Sequence, residues 1–503
     1  MKTKILDCTL RDGGYYTNWD FDDQIVKNYI KYTNDLNIDY IEIGYRNLKN
    51  QNEYKGQFYY LPSKTLRYFK KNSNHKIALM IDFKSVPINS LEQLLSDCIN
   101  YVDLVRIAVS PSNLSKCQKY INEINKMGFK VALNIMQLSK WEINKIKKEI
   151  SKLKNLEYLY LVDSYGAILP DQLEENIKEI SKATSINLGF HSHDNIELAF
   201  SNTLTAIKNN ISIIDSTILG MGRGAGNLKT ELILLMNLST ASNINNSKEY
   251  DSLSNLTELF LPLKEKYNWG SDLSYKFAGI NSYPQKEIMS LKISKNYNFS
   301  QIRDHFDKGV KSNLKLNSVT KSFKKNNLDT IIIGGGESLE LHKSAINTFF
   351  EENLNKYNFI FSSIKSSELV NPKMKYVFNV IIGSDYEKIL NSSSKNISYI
   401  LPNQINMNIN DSNKLINTYS LDYINDRKEK LNHLESCLAL VGKISKSNKI
   451  FMLGFDGFTS KSKFFNVFKQ NEKIFDHFKH QFKIKSLTQT MYSVDKDSIY
   501  SYI

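Results

Sequence analysis

Along the first half of the chain, short apolar runs rich in β-branched and aromatic residues alternate with longer stretches whose apolar positions recur every three or four residues. The first pattern predicts buried strands and the second amphipathic helices. The runs are KILDCTL (4–10), DYIEIGY (39–45), KIALMID (76–82), DLVRIAV (103–109), FKVALNI (129–135), EYLYLVD (157–163), INLGFHSH (186–193) and ISIIDSTILG (211–220). Their starts lie about 25 to 40 residues apart, the length of a strand with its crossover helix and loops. Eight such units predict a closed (β/α)8 TIM barrel over residues 1–240. An open doubly wound sheet has the same periodicity, but the polar residues favour the barrel. Arg11 and Asp12 follow the first run, Glu42, Asp82, Arg106, Asn134 and Asp163 stand in the next five, and His191 and His193 end the seventh. A barrel gathers its C-terminal strand ends at one mouth, whereas an open sheet spreads them along an edge.

Residues 241–325 change character and read as a helical extension with no clear strand. Residues 326–503 then predict a separate α/β domain with a Rossmann-like open sheet. Its first signal is NNLDTIIIGGGESLELHKSAINTFF, where an apolar run enters a triple-glycine turn and leaves into an amphipathic helix. Further strands are expected at NFIFSSI (358–364), YVFNVIIG (376–383), ISYILP (397–402) and KIFMLGF (449–455). The fold class is therefore α/β throughout.

Composition narrows the function classes. At 503 residues the chain is too long for one ordinary core, and 41% hydrophobic with 23% charged residues fits neither a disordered nor a membrane protein. The excess of 66 Lys+Arg over 52 Asp+Glu is spread through every segment with no basic run, which reads as a solvated surface rather than a nucleic-acid interface. The four cysteines show no metal-type spacing, as expected in a reducing cytosol. The N-terminal apolar stretch is broken at once by Asp7, Arg11 and Asp12, unlike a signal peptide, and no apolar segment is long enough to span a bilayer. A cytoplasmic location is the expectation.

The chemistry is carried by GFHSHDN. On a strand, His191 and His193 point the same way, and two neutral imidazoles on one side suit a divalent metal. Asp12, on the first strand's exit, is placed to complete a face of two histidines and one carboxylate that leaves positions open for substrate. Mg²⁺ or Mn²⁺ suits such a site, with Co²⁺ or Zn²⁺ also compatible. Arg11 offers a fixed cation where negative charge develops on an oxygen. Glu42, Arg106 and Asp163 are candidate substrate-binding residues at strand ends, and Arg106 is either a carboxylate clamp or a partner of Glu42 or Asp163. In the second domain Gly334, Gly335, Gly336 and Ser338 form a candidate phosphate cradle for a nucleotide or nucleotide-sugar, although neither the dinucleotide nor the P-loop pattern is complete.

Four segments together, LDCTLRDGG, VDSYGAILP, GFHSHDNIELA and LGMGRGAGNLKTE, resemble the DRE-TIM metallolyase superfamily over about residues 1–240. The resemblance is strongest to the 4-hydroxy-2-oxovalerate aldolase and hydroxymethylglutaryl-CoA lyase branch. It implies a metal-dependent carbon–carbon lyase acting on a 2-oxo acid, often pyruvate, and an aldehyde. It further implies that Asp12, His191 and His193 ligate the metal, that Asn227 adds a contact, and that Arg11 stabilises the enolate. Those aldolases usually carry a histidine shortly after the RDG, whereas this segment reads GGYYTNW, so Tyr15, Tyr16 or a metal-bound water is the expected proton relay. A Claisen-type acyltransferase of the isopropylmalate synthase kind shares the barrel and ligands. A non-catalytic barrel serving surface-glycan synthesis is the alternative outside enzymes. A homo-oligomer is expected in either enzymatic case.

Overall fold

The computed structural model describes residues 3–49, 54–240, 247–293, 297–306, 316–362, 366–382, 396–402, 417–422, 432–459, 462 and 464–503. It contains two compact units, Met1–Ser290 and Leu291–Ile503.

The first unit is built on β1 (Lys4–Asp7), β2 (Tyr40–Tyr45), β3 (Lys76–Asp82), β4 (Leu104–Val109), β5 (Lys130–Ile135), β6 (Tyr158–Asp163), β7 (Leu188–Ser192) and β8 (Ile213–Ser216). Each pairs in parallel with the next, and β8 returns to β1 through Lys4↔Ile213 to Asp7↔Ser216, closing the barrel. All eight predicted runs contain a strand. The strands are apolar on both faces because one face fills the barrel and the other meets helices. Leu6, Tyr40, Ala78, Leu104, Ala132, Tyr158, Tyr160 and Ile213 form the lower interior. Each large apolar side chain fully buried there contributes about 1.5–3 kcal/mol. Two residues further along, Glu42, Arg106, Asn134, His191 and Asp215 repeat the inward direction with polar groups, so alternation places the chemistry above an apolar plug.

The surrounding helices follow from caps and periodicity. Helix Asp23–Thr33 starts where the Asp22 carboxylate accepts the Gln24 N–H, and it buries Val26, Tyr29 and Ile30. The Tyr29 hydroxyl donates to Asp7 Oδ1 (2.6 Å), tying helix to strand. Beyond β8 the first unit continues through helices Thr230–Thr240, Ser247–Tyr267 and Leu273–Ile280 into the start of Gln285–Ile293, and helix Phe299–Phe306 belongs to the second unit. Residues 241–246, 294–296 and 307–315 of the stretch read as a helical extension lie outside the described residues.

The second unit holds β9 (Asn317–Ser318), β10 (Asp329–Ile333), β11 (Tyr357–Phe361), β12 (Val377–Val380), β13 (Ser398–Pro402), β14 (Thr418–Leu421), β15 (Lys449–Leu453), β16 (Lys483–Ser486) and β17 (Asp495–Lys496). They form one parallel sheet in the order β17-β16-β15-β10-β11-β12-β13-β14-β9. Its two faces carry separate apolar layers, one against helices His433–Ile444 and Phe465–Phe478, the other against helix Lys343–Glu352. This is an open doubly wound sheet whose order reverses between β10 and β15. Residues 363, 364 and 383 of two predicted runs lie outside the described residues. The sequence reading missed β9, β14, β16 and β17.

Candidate functional site

Arg11 and Asp12 sit on a single helical turn, Thr9–Asp12, rather than at a strand end. The turn is pinned from below by the Thr9 N–H donating to Asp7 Oδ1 (3.0 Å), and from the side by the Ile218 N–H donating to Thr9 Oγ1 (2.8 Å). From there a closed ring of charged groups runs through the barrel. Arg11 donates from Nη1 to Asp12 Oδ1 (2.6 Å) and from Nε to Glu42 Oε2 (2.7 Å). Arg106 pairs with Glu42 (3.0 Å) and with Asp215. Asp215 accepts from His191 Nδ1 (2.8 Å), and His191 Nε2 faces Asp12 Oδ2 at 3.8 Å. All six residues are buried. Burial alone would raise the Asp12 carboxyl, but the Arg11 charge above all, helped by the Asn227 hydrogen bond, outweighs it and holds the group below the usual carboxylate range. Burial likewise opposes the Arg106 charge, and Asp215 and Glu42 overcome it. Such a network keeps charges buried because each has a paired neighbour.

Arg106 is therefore not open at the mouth. It is fully buried, donates to Asn134 Oδ1 (3.3 Å), and lies 4.2 Å from the Tyr160 ring centroid. Of the two sequence readings for Arg106, the structure has the structural one, with Glu42 and Asp215 as partners. Gly189 makes room for that Tyr160 ring, since a Cβ there would meet it at 2.8 Å.

His193 stands one residue beyond β7, where it bridges in antiparallel fashion to Asn227 on the loop after β8. The two imidazole rings lie 5.0 Å apart, centroid to centroid. Asn227 Nδ2 donates to Asp12 Oδ2, and Gly222 must be glycine because a Cβ would run into the Asn227 side chain. Ligand atoms of Asp12, His191 and His193 all lie within 4.8 Å of one another. His193 Nδ1 and Asn227 Oδ1 are buried and have no hydrogen-bond partner, as expected of atoms shaped for a cation. Burial first, then the His191 and Arg223 charges, depress His193 to about 3, so its ring is neutral with a lone pair to give. These residues fit a divalent ion. Asp215 orients His191 through Nδ1, leaving Nε2 for the ion. A second grouping, Cys8 with His191 and Asp215, is also compact. It fits a metal less well, because burial pushes the Cys8 thiol well up and Asp215 is already engaged by Arg106 and His191.

The two tyrosines separate clearly. Tyr16 donates to the Gly224 carbonyl (2.8 Å), and burial pushes its phenol up to about 12, so it braces the glycine loop. Tyr15 instead shares a hydroxyl contact of 3.2 Å with Tyr45, at the end of β2. Tyr15 and Tyr45 both pack edge-on against Trp19. Tyr45 is buried beside Arg11 and Asp12, and burial holds its phenol well above the usual range.

Asp163 and Asp82 serve loops. The Asp163 carboxylate accepts the Ala167 and Ile168 N–H groups (3.3 and 3.2 Å), and burial raises it to about 6. Asp82 accepts the Lys84 N–H (2.9 Å). In the second unit Gly334–Gly336 do lie at the reversal between β10 and β15, but the Ser338 N–H donates to Asp456 Oδ2 (2.8 Å) and the Ser338 hydroxyl to Asp456 Oδ1. A Cβ at Gly336 would meet that carboxylate at 2.5 Å. The place expected for a phosphate at this turn is thus taken by a carboxylate of the chain itself.

Sequence reasoning missed Asp215, Tyr45 and Arg223. Alternation from Ile213 would have turned Asp215 inward, whereas Tyr45 and Arg223 gain their meaning only from neighbours across the mouth.

An HMGL-like family model matches residues 105–259. The chain is 25% identical to the 4-hydroxy-2-oxovalerate aldolase of Bacillus cereus over 298 residues, 56% of this chain and 82% of that one. It is 24% identical to the oxaloacetate decarboxylase of Mycobacterium tuberculosis over 233 residues, 46% of this chain and 68% of that one. The crystal structure of the N-terminal domain of a candidate aldolase from Bacteroides vulgatus is 44% identical, with a TM-score of 0.55, and spans 60% of this chain and 99% of that domain. Among the described residues no helix is long and apolar enough to cross a membrane. The closed eight-stranded barrel and these relatives make the chain a member of the HMGL-like family within the DRE-TIM metallolyase superfamily, and a carbon–carbon lyase.

Proposed function

We propose that the barrel is a divalent-metal-dependent aldolase that makes or breaks a carbon–carbon bond next to a 2-oxo acid, in the manner of a 4-hydroxy-2-oxovalerate aldolase. The observation that carries this reading is the buried set of Asp12, His191 and His193 with Arg11 ion-paired to Asp12. The two named relatives, an aldolase and an oxaloacetate decarboxylase, both act on a bond to carbon 3 of a 2-oxo acid.

Asp12, His191 and His193 would hold Mn²⁺ or Mg²⁺, with Asn227 beside them, and the ion supplies Lewis acidity toward the oxygens of a bound 2-oxo acid. Glu42 and Asp12 fix Arg11 through Nε and Nη1, leaving Nη2 with no partner among the described residues. That donor is preorganised for an oxygen on which charge develops, and it needs no rearrangement at the moment of reaction. In the cleavage direction the 4-hydroxyl of the substrate gives up its proton, the C3–C4 bond breaks, an aldehyde leaves, and C3 takes a proton to complete the 2-oxo acid. Tyr15 and Tyr45, joined hydroxyl to hydroxyl, relay the proton.

Hydrogen–deuterium exchange at the methyl group of pyruvate, followed by NMR with Mn²⁺ or Mg²⁺, tests the reading without knowledge of the aldehyde. The expected result is metal-dependent exchange that falls by about 10³-fold in Asp12→Ala. Absence of exchange in the wild-type protein with metal bound would exclude pyruvate as the enolised partner.

A further inference from the structure

The first unit contains five arginines. Arg11 and Arg106 belong to the buried ring, Arg46 pairs with Asp97 (2.6 Å), and Arg67 is exposed to solvent. Arg223 differs from all of them. It is half-buried, its Nε is shut off from water with no acceptor, and it makes no ion pair among the described residues. A guanidinium Nε in that condition has lost hydration without gaining an acceptor, which is unfavourable unless something else supplies one.

Its position says what that acceptor belongs to. Arg223 lies four residues before Asn227, on the loop that also bridges to His193. Its guanidinium carbon stands 5.3 Å over the Tyr15 ring, and its charge reaches the His193 ring as Arg11's does. The loop beneath it is fixed. Gly224, in the left-handed region at φ 71°, offers its carbonyl to Tyr16 (2.8 Å), and Asn227 N–H donates to the Gly220 carbonyl (3.1 Å). Packed against Gly224 is Gln285, 3% exposed, with both amide atoms unpartnered. The mouth thus has a pinned backbone, a cation stacked on an aromatic face, and an orphan amide packed against the same loop from helix Gln285–Ile293.

We propose that Arg223 is the anion receptor of the substrate site, taking a carboxylate of the substrate through its free donors while Tyr15 holds the guanidinium plane. The inference rests on the reading of the barrel as a 2-oxo-acid aldolase and adds what that reading leaves open: the residue outside the charged ring that selects an anionic substrate group. The anion belongs either to the 2-oxo acid or to the far end of the aldehyde, and both present the same planar oxygen pair to a guanidinium.

Calorimetric titration of the full chain, with Mn²⁺ present, distinguishes the sources. Wild type, Arg223→Gln and Arg223→Lys are each titrated with pyruvate, with 4-oxobutanoate and with its uncharged counterpart butanal. The expected result is that at least one of the two anions binds about 10- to 100-fold more weakly to Arg223→Gln, with partial recovery in Arg223→Lys and with butanal unaffected. Weakening of pyruvate assigns the anion to the 2-oxo acid, and weakening confined to 4-oxobutanoate assigns it to the aldehyde. Equal affinities in wild type and Arg223→Gln would overturn the proposal, as would wild-type protein that binds neither anion. Failure of the aldolase reading shows separately, as absent pyruvate exchange in wild type.

Discussion

The barrel mouth and the β10–β15 reversal are both places where parallel strands deliver their carboxyl ends, and the fold rules single out each as a ligand position. Their polar groups are arranged oppositely. At the mouth, charges are paired below while His193 Nδ1, Asn227 Oδ1 and Arg223 Nε are left without partners. At the reversal, Asp456 meets both the Ser338 N–H and its hydroxyl, and Thr488 Oγ1 accepts the Gly454 N–H (3.0 Å). A fold position suggests where to look, and unpartnered buried polar atoms show which of two such positions is built to receive something.

The comparison can be broken most forcefully at Arg106. Replacement by Met leaves the buried Asp215 with His191 as its remaining partner and makes Glu42 and Asp12 share Arg11, and unfolding by denaturant should show a loss of about 3–5 kcal/mol. A change below about 1 kcal/mol would mean that the charged ring does not hold the mouth together. Asp215→Asn is a gentler cut, because it keeps the shape while weakening the acceptor behind His191. Mn²⁺ affinity should fall about 10- to 100-fold, and an unaltered affinity would remove Asp215 from the account. The smallest effect is expected at the reversal. Asp456→Ala removes the partner of Ser338 and should cost about 1 kcal/mol of stability with no change in pyruvate exchange.

Much of this architecture was legible in the sequence, for a physical reason. The barrel strands are buried on both faces and so read as continuous apolar runs, and each of the eight yields a strand. The missed strands of the second unit lack that signature. TYSL (Thr418–Leu421) mixes polar and apolar positions, KIKS (Lys483–Ser486) alternates with lysines, and Asn317–Ser318 and Asp495–Lys496 are two-residue edges. The candidate ligands were legible because His191, His193 and Asp12 lie in short recognisable motifs. Their supports were not. Asp215 meets Arg106 across 109 positions of sequence, and only the closed barrel brings them together. Tyr15 and Tyr16 are neighbours of one type, and backbone geometry alone sends one to Tyr45 and the other to the Gly224 carbonyl.

The most direct test is a Mn²⁺ titration of the full chain followed by electron paramagnetic resonance, with Asp12→Ala and Asp456→Ala alongside. One bound ion per chain is predicted for the wild type, lost in Asp12→Ala and retained in Asp456→Ala. A site that survives Asp12→Ala would contradict the assignment of the metal to the barrel mouth.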